Sequence, residues 1–412
     1  MKLTRSFFIY TAVSFMSASI PFFLLPVLTN YLSKKDYGII TLFSTTVSLI
    51  LPFISVGIPQ LIAVDYFKKS LIEFKKEFSS SLFFISLFAL FAFVLLFLFQ
   101  KPIKAFLNFD SNFLFFIPLV CVGATFIEIL YVLYRNKEKV KEYAALSIFQ
   151  TVAEAGITLI LILVLFLKWE GRLITTIVMS TLFVFFSLIK FYKWKLLPQK
   201  INLLQIKSIV LFGFPLIFER LRTFVLNSSD KYFVAKIVGL ENLGIYSVAT
   251  SVSTVILVCV NSLYIAYTPF LFKTLESGRD FAKIVKMIYV LITITLLATI
   301  ALSLTSSFIF KYFLGKDFQN GQTYVSWLAI GYFFWGINVY FQAIILYKKK
   351  TFYLLVISIT GLVLNLILNY LLINKYQTMG AAYSTAITYF VMSALTVFVA
   401  IKIQKLPWRV WK

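Results

Sequence analysis

Long runs of apolar residues, separated by short polar connections, make up most of the chain. Each run covers about 20 residues or more, which is the length that a helix needs to cross the hydrocarbon core of a bilayer. The runs are continuous, unlike the alternating segments of about ten residues that form membrane barrels. The pattern therefore predicts twelve membrane-spanning helices. They are expected at roughly 6–32, 38–64, 78–100, 112–134, 143–167, 172–191, 208–236, 243–271, 284–309, 323–347, 352–374 and 379–401.

A longer basic stretch that contains a proline follows the sixth predicted span. It divides the chain into an N-terminal six-helix bundle at 1–192, a basic cytoplasmic linker at 193–207, and a C-terminal six-helix bundle at 208–412 with a short basic cytoplasmic tail. The predicted fold class is an all-α polytopic membrane protein of about twelve helices in two six-helix bundles.

A weak internal repeat relates the two halves. An offset of 206 residues places Gly38-Ile39 over Gly244-Ile245, and both pairs stand at the junction of the first and second span of their half. Because each half has an even number of spans, the repeat is parallel in the membrane. In transporters built this way the substrate site lies near the bilayer midplane between the repeats.

Composition agrees with the hydropathy pattern and excludes several enzyme classes. Of the 412 residues, 60% are hydrophobic and 13% are charged, well above the roughly 45–50% apolar content of soluble domains. The chain has no histidine, and its two cysteines, Cys121 and Cys259, lie inside apolar runs. Ser-His-Asp catalysis, histidine zinc sites and a disulfide framework are therefore excluded. We expect no catalytic residues, no metal and no cofactor, and hence no enzyme.

The chain has a formal charge of +23, and most of its lysines and arginines lie in the loops and at the termini. If the N-terminus is cytoplasmic, the cytoplasmic loops and termini carry 26 basic residues and the opposite side carries eleven. Basic residues accumulate in short cytoplasmic loops, so this asymmetry predicts a plasma-membrane protein with both termini in the cytoplasm. The charge then needs no nucleic-acid partner to explain it.

Three segments resemble one family of transporters. They are Asp230–Ala249, the pair Pro26–Ser33 and Asp36–Ile39 at the first junction, and Phe212–Pro215 at the entry to the seventh span. Together they resemble the polysaccharide-export branch, the O-antigen and oligosaccharide flippases, of the multidrug/oligosaccharidyl-lipid/polysaccharide (MOP) superfamily.

The resemblance implies a flippase that moves an undecaprenyl-diphosphate-linked oligosaccharide, such as an O-antigen, capsule or exopolysaccharide repeat unit, across the plasma membrane by alternating access. It also implies the lipid-linked oligosaccharide and membrane lipid as binding partners, and polysaccharide assembly proteins as candidate partners.

Charged and amide side chains concentrate in the seventh predicted span, at Glu219, Arg220, Arg222, Asn227 and Asp230. At 100° per residue they share one sector of about 160°, as expected of a helix that lines an aqueous cavity. The planar, permanently charged guanidinium binds phosphates bidentately, so we expect Arg220 and Arg222 to receive the diphosphate. The alternative is that Glu219 and Arg222, at i and i+3, pair with each other and stabilise a helix contact.

Ion coupling requires a carboxylate at membrane depth, because the chain has no histidine. Glu154 and Glu219 are the candidates, and Glu154 is preferred because no basic residue stands three or four positions from it. The alternative for Glu154 is a carboxyl group that hydrogen-bonds between helices. For Glu128 we expect an interfacial role, and for the amide pair Asn365 and Asn369 hydrogen bonds between helices.

Two other functions remain open at this stage. An ion-coupled multidrug exporter of the same superfamily would share the fold, but it is expected to expose carboxylates without competing arginines. A membrane glycosyltransferase or polysaccharide polymerase would need a catalytic site, and no long extracytoplasmic loop is predicted to hold one. No G-x-x-x-x-G-K-[ST] loop occurs, which disfavours an ATP-driven pump.

Overall fold

The computed structural model describes residues 20, 22–107, 109, 111–197 and 203–408, and within them it contains helices and no strands. Short 3-10 segments precede α6 and α12, and a π-helical segment, Ile160–Val164, follows α7. The α-helices are α1 (Phe22–Tyr31), α2 (Lys34–Ser55), α3 (Ile58–Lys68), α4 (Leu71–Leu98), α5 (Gln100–Leu107), α6 (Ile117–Asn136), α7 (Val140–Leu159), α8 (Trp169–Lys193), α9 (Leu203–Ile237), α10 (Leu240–Ser277), α11 (Phe281–Tyr312), α12 (Gln322–Tyr347), α13 (Thr351–Tyr376) and α14 (Thr378–Ile403).

The predicted all-α polytopic class is confirmed. Every predicted span from residue 38 onward coincides with a helix, and in the described part of the chain ten segments are long and apolar enough to cross a membrane. Helix α9 is not among the ten, because Glu219, Arg220 and Arg222 interrupt its apolar sequence. Most of the first predicted span, 6–32, lies outside the described residues, as do 198–202 of the predicted linker and 409–412 of the predicted tail.

The second predicted span, 38–64, is broken rather than continuous. Helix α2 ends at Ser55 and α3 begins at Ile58, with Val56 and Gly57 between them at φ 41° and 64°. Positive φ is unfavourable for a β-branched residue such as Val56 and easy for glycine. Pro59 stands in the first turn of α3, where its missing N–H leaves no intrahelical hydrogen bond unmade.

The described residues form two compact units. The first comprises the chain up to Leu32 together with Ile39–Phe224, and the second comprises Ser33–Gly38 together with the chain from Val225 onward. This division differs from the predicted bundles, 1–192 and 208–412, because α9 contributes its first two thirds to the first unit and its last third to the second. The predicted bundle boundaries stay a prediction.

Each unit has a central helix. In the first unit α6 packs against α3, α4, α7 and α8, and in the second α12 packs against α10, α11 and α14. Small residues allow close approach of these helices: a Cβ on Gly123 would lie 2.8 Å from the Ser180 carbonyl oxygen, and one on Gly336 would lie 2.9 Å from Val260. Helix association in membranes depends on such packing because lipid is as apolar as the side chains.

The two copies of the repeated junction contact each other within the second unit. A Cβ on Gly38 at the start of α2 would lie 2.0 Å from the carbonyl oxygen of Leu240. A Cβ on Gly244 at the start of α10 would lie 2.0 Å from the carbonyl oxygen of Lys34. Lys34 also lies 3.8 Å from Glu241. The contact is therefore reciprocal, and at neither glycine does the backbone leave room for a side chain.

We expect Gly38→Ala and Gly244→Ala each to destabilise the protein, because the added methyl group must push a helix backbone aside, at a cost of about 1–3 kcal/mol for overpacking. Thermal unfolding of the purified protein in detergent measures the loss. Gly156→Ala in α7 is the matched control, since a Cβ there meets nothing within 4 Å. Equal melting temperatures for all three variants would contradict the role of the reciprocal contact.

Candidate functional site

Arg220 is the centre of a polar cluster within the first unit. It stands at the midpoint of α9, and its Nη2 lies 2.9 Å from Glu128 Oε1 on α6. Its Nη1 donates to Ser55 Oγ, the last residue of α2, at 3.3 Å. Gln60 in the first turn of α3 completes the set: with its amide oriented to donate to Gly57 O, its oxygen accepts from Arg220 Nη2 at 2.8 Å. Four helices therefore contribute to one cluster.

The break between α2 and α3 positions this cluster. A Cβ on Gly213 would lie 2.0 Å from the carbonyl oxygen of Val56, so α9 approaches the break as closely as its backbone permits. One turn farther along α9, Leu216 covers Gly57, whose own Cβ would lie 2.5 Å from the leucine Cδ1. Arg220 follows one turn after Leu216, and its guanidinium thus reaches Ser55 and Gln60 on the two sides of the break.

The charges of the cluster balance, and its ion pair is partly exposed. Arg220 and Glu128 cancel in charge, and the N-terminus of α3 adds the partial positive charge of a helix dipole next to Gln60. The side chain of Arg220 is 24% exposed and that of Glu128 is 36% exposed. The pair is thus neither sealed in the protein interior nor fully solvated.

Glu219 and Arg222 form a separate pair on the same helix. Arg222 Nε donates to Glu219 Oε2 at 2.9 Å, and its Nη2 contacts the other carboxylate oxygen. The alternative in which these two residues pair at i and i+3 is thus realised. The Glu219 side chain is 55% exposed, so the pair lies on an open face of α9.

Asn227 and Asp230 belong to the second unit and do not join the arginines. Asn227 Oδ1 accepts a hydrogen bond from Tyr389 at 2.9 Å. The buried Asp230 carboxylate accepts one from the Tyr246 hydroxyl at 2.5 Å and one from the Lys231 backbone N–H at 2.9 Å. The single polar sector predicted for the seventh span therefore divides into four separate sets of contacts.

The second unit also contains a buried amide network. Asn365 accepts from Ser229 on α9 at 3.1 Å and from Asn369 one turn away at 3.0 Å. Asn369 also donates to Ser229 at 3.3 Å. The expected hydrogen bonds between helices are therefore present at this amide pair.

Glu154 has a cationic partner that its own helix does not supply. Arg172 on α8 lies 3.0 Å from the Glu154 carboxylate and donates to Thr158 at 3.0 Å. Glu154 was preferred for ion coupling because its own helix offers no basic residue three or four positions away, and Arg172 supplies that charge from the neighbouring helix instead. Gln150 and Thr158, one turn before and one turn after Glu154 on α7, are hydrogen-bonded as well: Tyr131 donates to Gln150 at 2.5 Å, and Arg172 donates to Thr158.

Sequence reasoning missed the partners of Arg220. Glu128 was expected at an interface, and Ser55 and Gln60 were not singled out at all. The adjacent Gly57 and Pro59 were the available signal, because a glycine followed closely by a proline inside an apolar run predicts a broken helix. Polar residues on either side of such a break are then candidates for a site.

Comparison with known proteins identifies the family. The family model described as "Polysaccharide biosynthesis protein" matches residues 3–275, and the MatE model matches residues 215–371. An uncharacterized membrane protein of Haemophilus influenzae is 21% identical over 337 residues, which cover 79% of each chain. The Lsg locus putative protein 1 of the same organism is 23% identical over 289 residues, covering 68% of each.

Solved structures share the fold. A lipid II flippase MurJ in an inward closed conformation superimposes with a TM-score of 0.71 at 17% identity, covering 97% of this chain and 88% of MurJ. An inward-facing multidrug resistance MATE family transporter of the MOP superfamily gives a TM-score of 0.72 at 12% identity, covering 94% of each chain. The predicted MATE-like fold is thus confirmed. The chain, which has ten helical segments long and apolar enough to cross a membrane among its described residues, belongs to the family described as "Polysaccharide biosynthesis protein".

Proposed function

We propose that this transporter is a flippase for a polyprenyl-diphosphate-linked oligosaccharide, and that Arg220 contacts the diphosphate. One observation carries the proposal: an arginine at the midpoint of a long helix is fixed by groups from three other helices, yet keeps part of its guanidinium exposed. Arg222 is the second arginine of the proposed substrate site, with Glu219 as its partner on α9.

The energetics of lipid transfer favour this assignment. An arginine at the centre of a membrane-spanning helix costs about 2.5–3.5 kcal/mol on insertion scales, so such residues usually serve a function. A diphosphate cannot cross a low-dielectric slab unless fixed donors replace its lost hydration. An arginine fork supplies paired N–H donors, and the prenyl tail needs no site because it stays in lipid.

The comparisons support the substrate class without defining the sugar. The family model that matches two thirds of the chain bears a polysaccharide biosynthesis description, and the MurJ structure is named as a lipid II flippase. The proposed cargo has the same general form, a saccharide on a lipid carrier. The proposed location is the bacterial plasma membrane with both termini in the cytoplasm, as the 26 to eleven division of basic residues predicts.

A multidrug exporter is the second candidate, since the MatE model matches residues 215–371. Such a protein would take cationic drugs, and it would need carboxylates that are free to receive them. Glu128, Glu154 and Glu219 each contact an arginine instead. The proposed flippase therefore accounts better for the charges of the first unit.

For ion coupling we propose Asp230 in place of Glu154 and Glu219. Both glutamates form ion pairs with arginines. The Asp230 carboxylate instead accepts from the Tyr246 hydroxyl and the Lys231 backbone N–H, and among the described residues no lysine or arginine side chain forms an ion pair with it. A buried carboxylate without an ionic partner is the group most able to gain a proton or a monovalent cation.

Arg220→Ala is expected to reduce polysaccharide export at least tenfold in cells that lack the wild-type gene, with Arg220→Lys intermediate because lysine keeps the charge but loses the fork. Surface polysaccharide and lipid-linked saccharide on the cytoplasmic face are measured together with the amount of protein in the membrane. Arg279→Ala, at an exposed arginine in the connection between α10 and α11, is the control. Normal export by Arg220→Ala at a normal protein level would refute the proposal.

Asp230→Asn is expected to remove the response of reconstituted transport to an imposed pH or Na⁺ gradient, whereas Glu154→Gln is expected to retain it. The reason is that the Asp230 carboxylate can bind or release a proton or Na⁺ without breaking an ion pair. Proteoliposomes with and without each gradient provide the measurement. If Glu154→Gln loses the response and Asp230→Asn keeps it, the assignment is reversed.

A further inference from the structure

Arg220 has one charged partner in the cluster and two neutral ones. Ser55 and the Gln60 amide orient the guanidinium, and only Glu128 compensates its charge. The five N–H groups of a guanidinium can satisfy several acceptors at once. Loss of Glu128 from the cluster would therefore leave the orientation of Arg220 largely fixed while its charge became available.

Glu128 stands at an otherwise apolar part of α6. Its neighbours Ile127, Ile129 and Leu130 are buried, and a carboxylate among them needs a compensating interaction. That interaction is made with a residue 92 positions away on another helix. With 36% of its side chain exposed, Glu128 is not enclosed by the first unit, so its carboxylate has room to move away from Arg220 without displacing the buried residues beside it.

We infer that Glu128 is a resident counter-ion: it neutralises Arg220 in the empty transporter, and the diphosphate of the cargo displaces it. This inference rests on the proposed function, because it concerns the same arginine. The guanidinium exchanges one anionic partner for another and is never left without a counter-charge at membrane depth. Unpaired buried charges are strongly destabilising, so the exchange avoids the most costly state.

The counter-ion also determines which ligands bind. A bilayer contains many lipids with a single phosphate, and an uncompensated arginine would bind their head groups. Glu128 sets a threshold: a ligand must interact with Arg220 more favourably than the carboxylate does. A diphosphate interacts with Arg220 more favourably than the carboxylate does, because it has two phosphoryl groups and more negative charge. A monophosphate interacts with Arg220 only slightly more favourably than the carboxylate that it replaces. Discrimination against a competitor frequently requires such an opposing element.

Binding of two soluble analogues to the purified full-length protein tests the inference. The probes are farnesyl diphosphate and farnesyl monophosphate, titrated calorimetrically against wild type, Glu128→Gln, Arg220→Gln and the double variant. Gln keeps the size of Glu128 and can still accept from Arg220. Glu142→Gln is the matched control, since Glu142 also has a cationic partner, Lys139 at 3.6 Å, but in an exposed pair.

We expect Glu128→Gln to bind the monophosphate about tenfold more tightly, and the diphosphate more tightly by a smaller factor, so that the preference between them narrows. Glu142→Gln should match wild type. Arg220→Gln should lose the binding of both probes, and the double variant should behave like Arg220→Gln. Glu128→Asp, which keeps the charge on a shorter side chain, should fall between wild type and Glu128→Gln and replaces the latter if it does not fold.

The outcomes separate the two proposals. If Arg220→Gln abolishes binding but Glu128→Gln binds both probes as wild type does, or more weakly, the counter-ion inference is wrong and the proposed diphosphate site stands. If Arg220→Gln binds both probes as wild type does, the proposed site itself is wrong. A tighter Glu128→Gln with an unchanged ratio between the probes would overturn the role in selectivity.

Discussion

An arginine packed among apolar helices needs a counter-charge, and three arginines of the first unit have one. Arg172, Arg220 and Arg222 each contact a carboxylate, from Glu154, Glu128 and Glu219 respectively. The pairs differ in how they are built. Arg222 finds its partner on its own helix, whereas Arg220 and Arg172 depend on the packing of neighbouring helices. The polar residues of the first unit are therefore tied to its tertiary structure, and the proposed site exists only when the helices are assembled.

The helices themselves were accessible to sequence reasoning. In a membrane protein each span must be apolar over a length fixed by the bilayer, so hydropathy alone located the long helices from residue 38 onward but not the short helix α5. Hydropathy did not locate the break at Val56 and Gly57, because a run such as 38–64 stays apolar across it. Hydropathy measures the preference for lipid and is insensitive to a local change of backbone direction.

The side chains that contact Arg220 and Glu154 could not be predicted from the sequence in the same way. Helical periodicity relates residues three or four positions apart, and so it anticipated the pair of Glu219 and Arg222 as an alternative. It says nothing of Glu128 and Arg220, whose contact depends on how α6 and α9 pack. The same limit applies at Glu154, where Arg172 approaches from the next helix. A single sequence gives no information on contacts between residues of different helices.

The reciprocal contact of Gly38 and Gly244 has a consequence for biosynthesis. The two glycines are 206 residues apart, so a ribosome that adds about 5–20 residues per second delivers the second one roughly 10–40 s after the first. During that interval the start of α2 has already been made and inserted, but its closest neighbour does not yet exist. Until α10 is made, the backbone at Gly38 is therefore uncovered and contacts lipid or other cellular factors. The first half of the chain lacks part of its packing surface for that time.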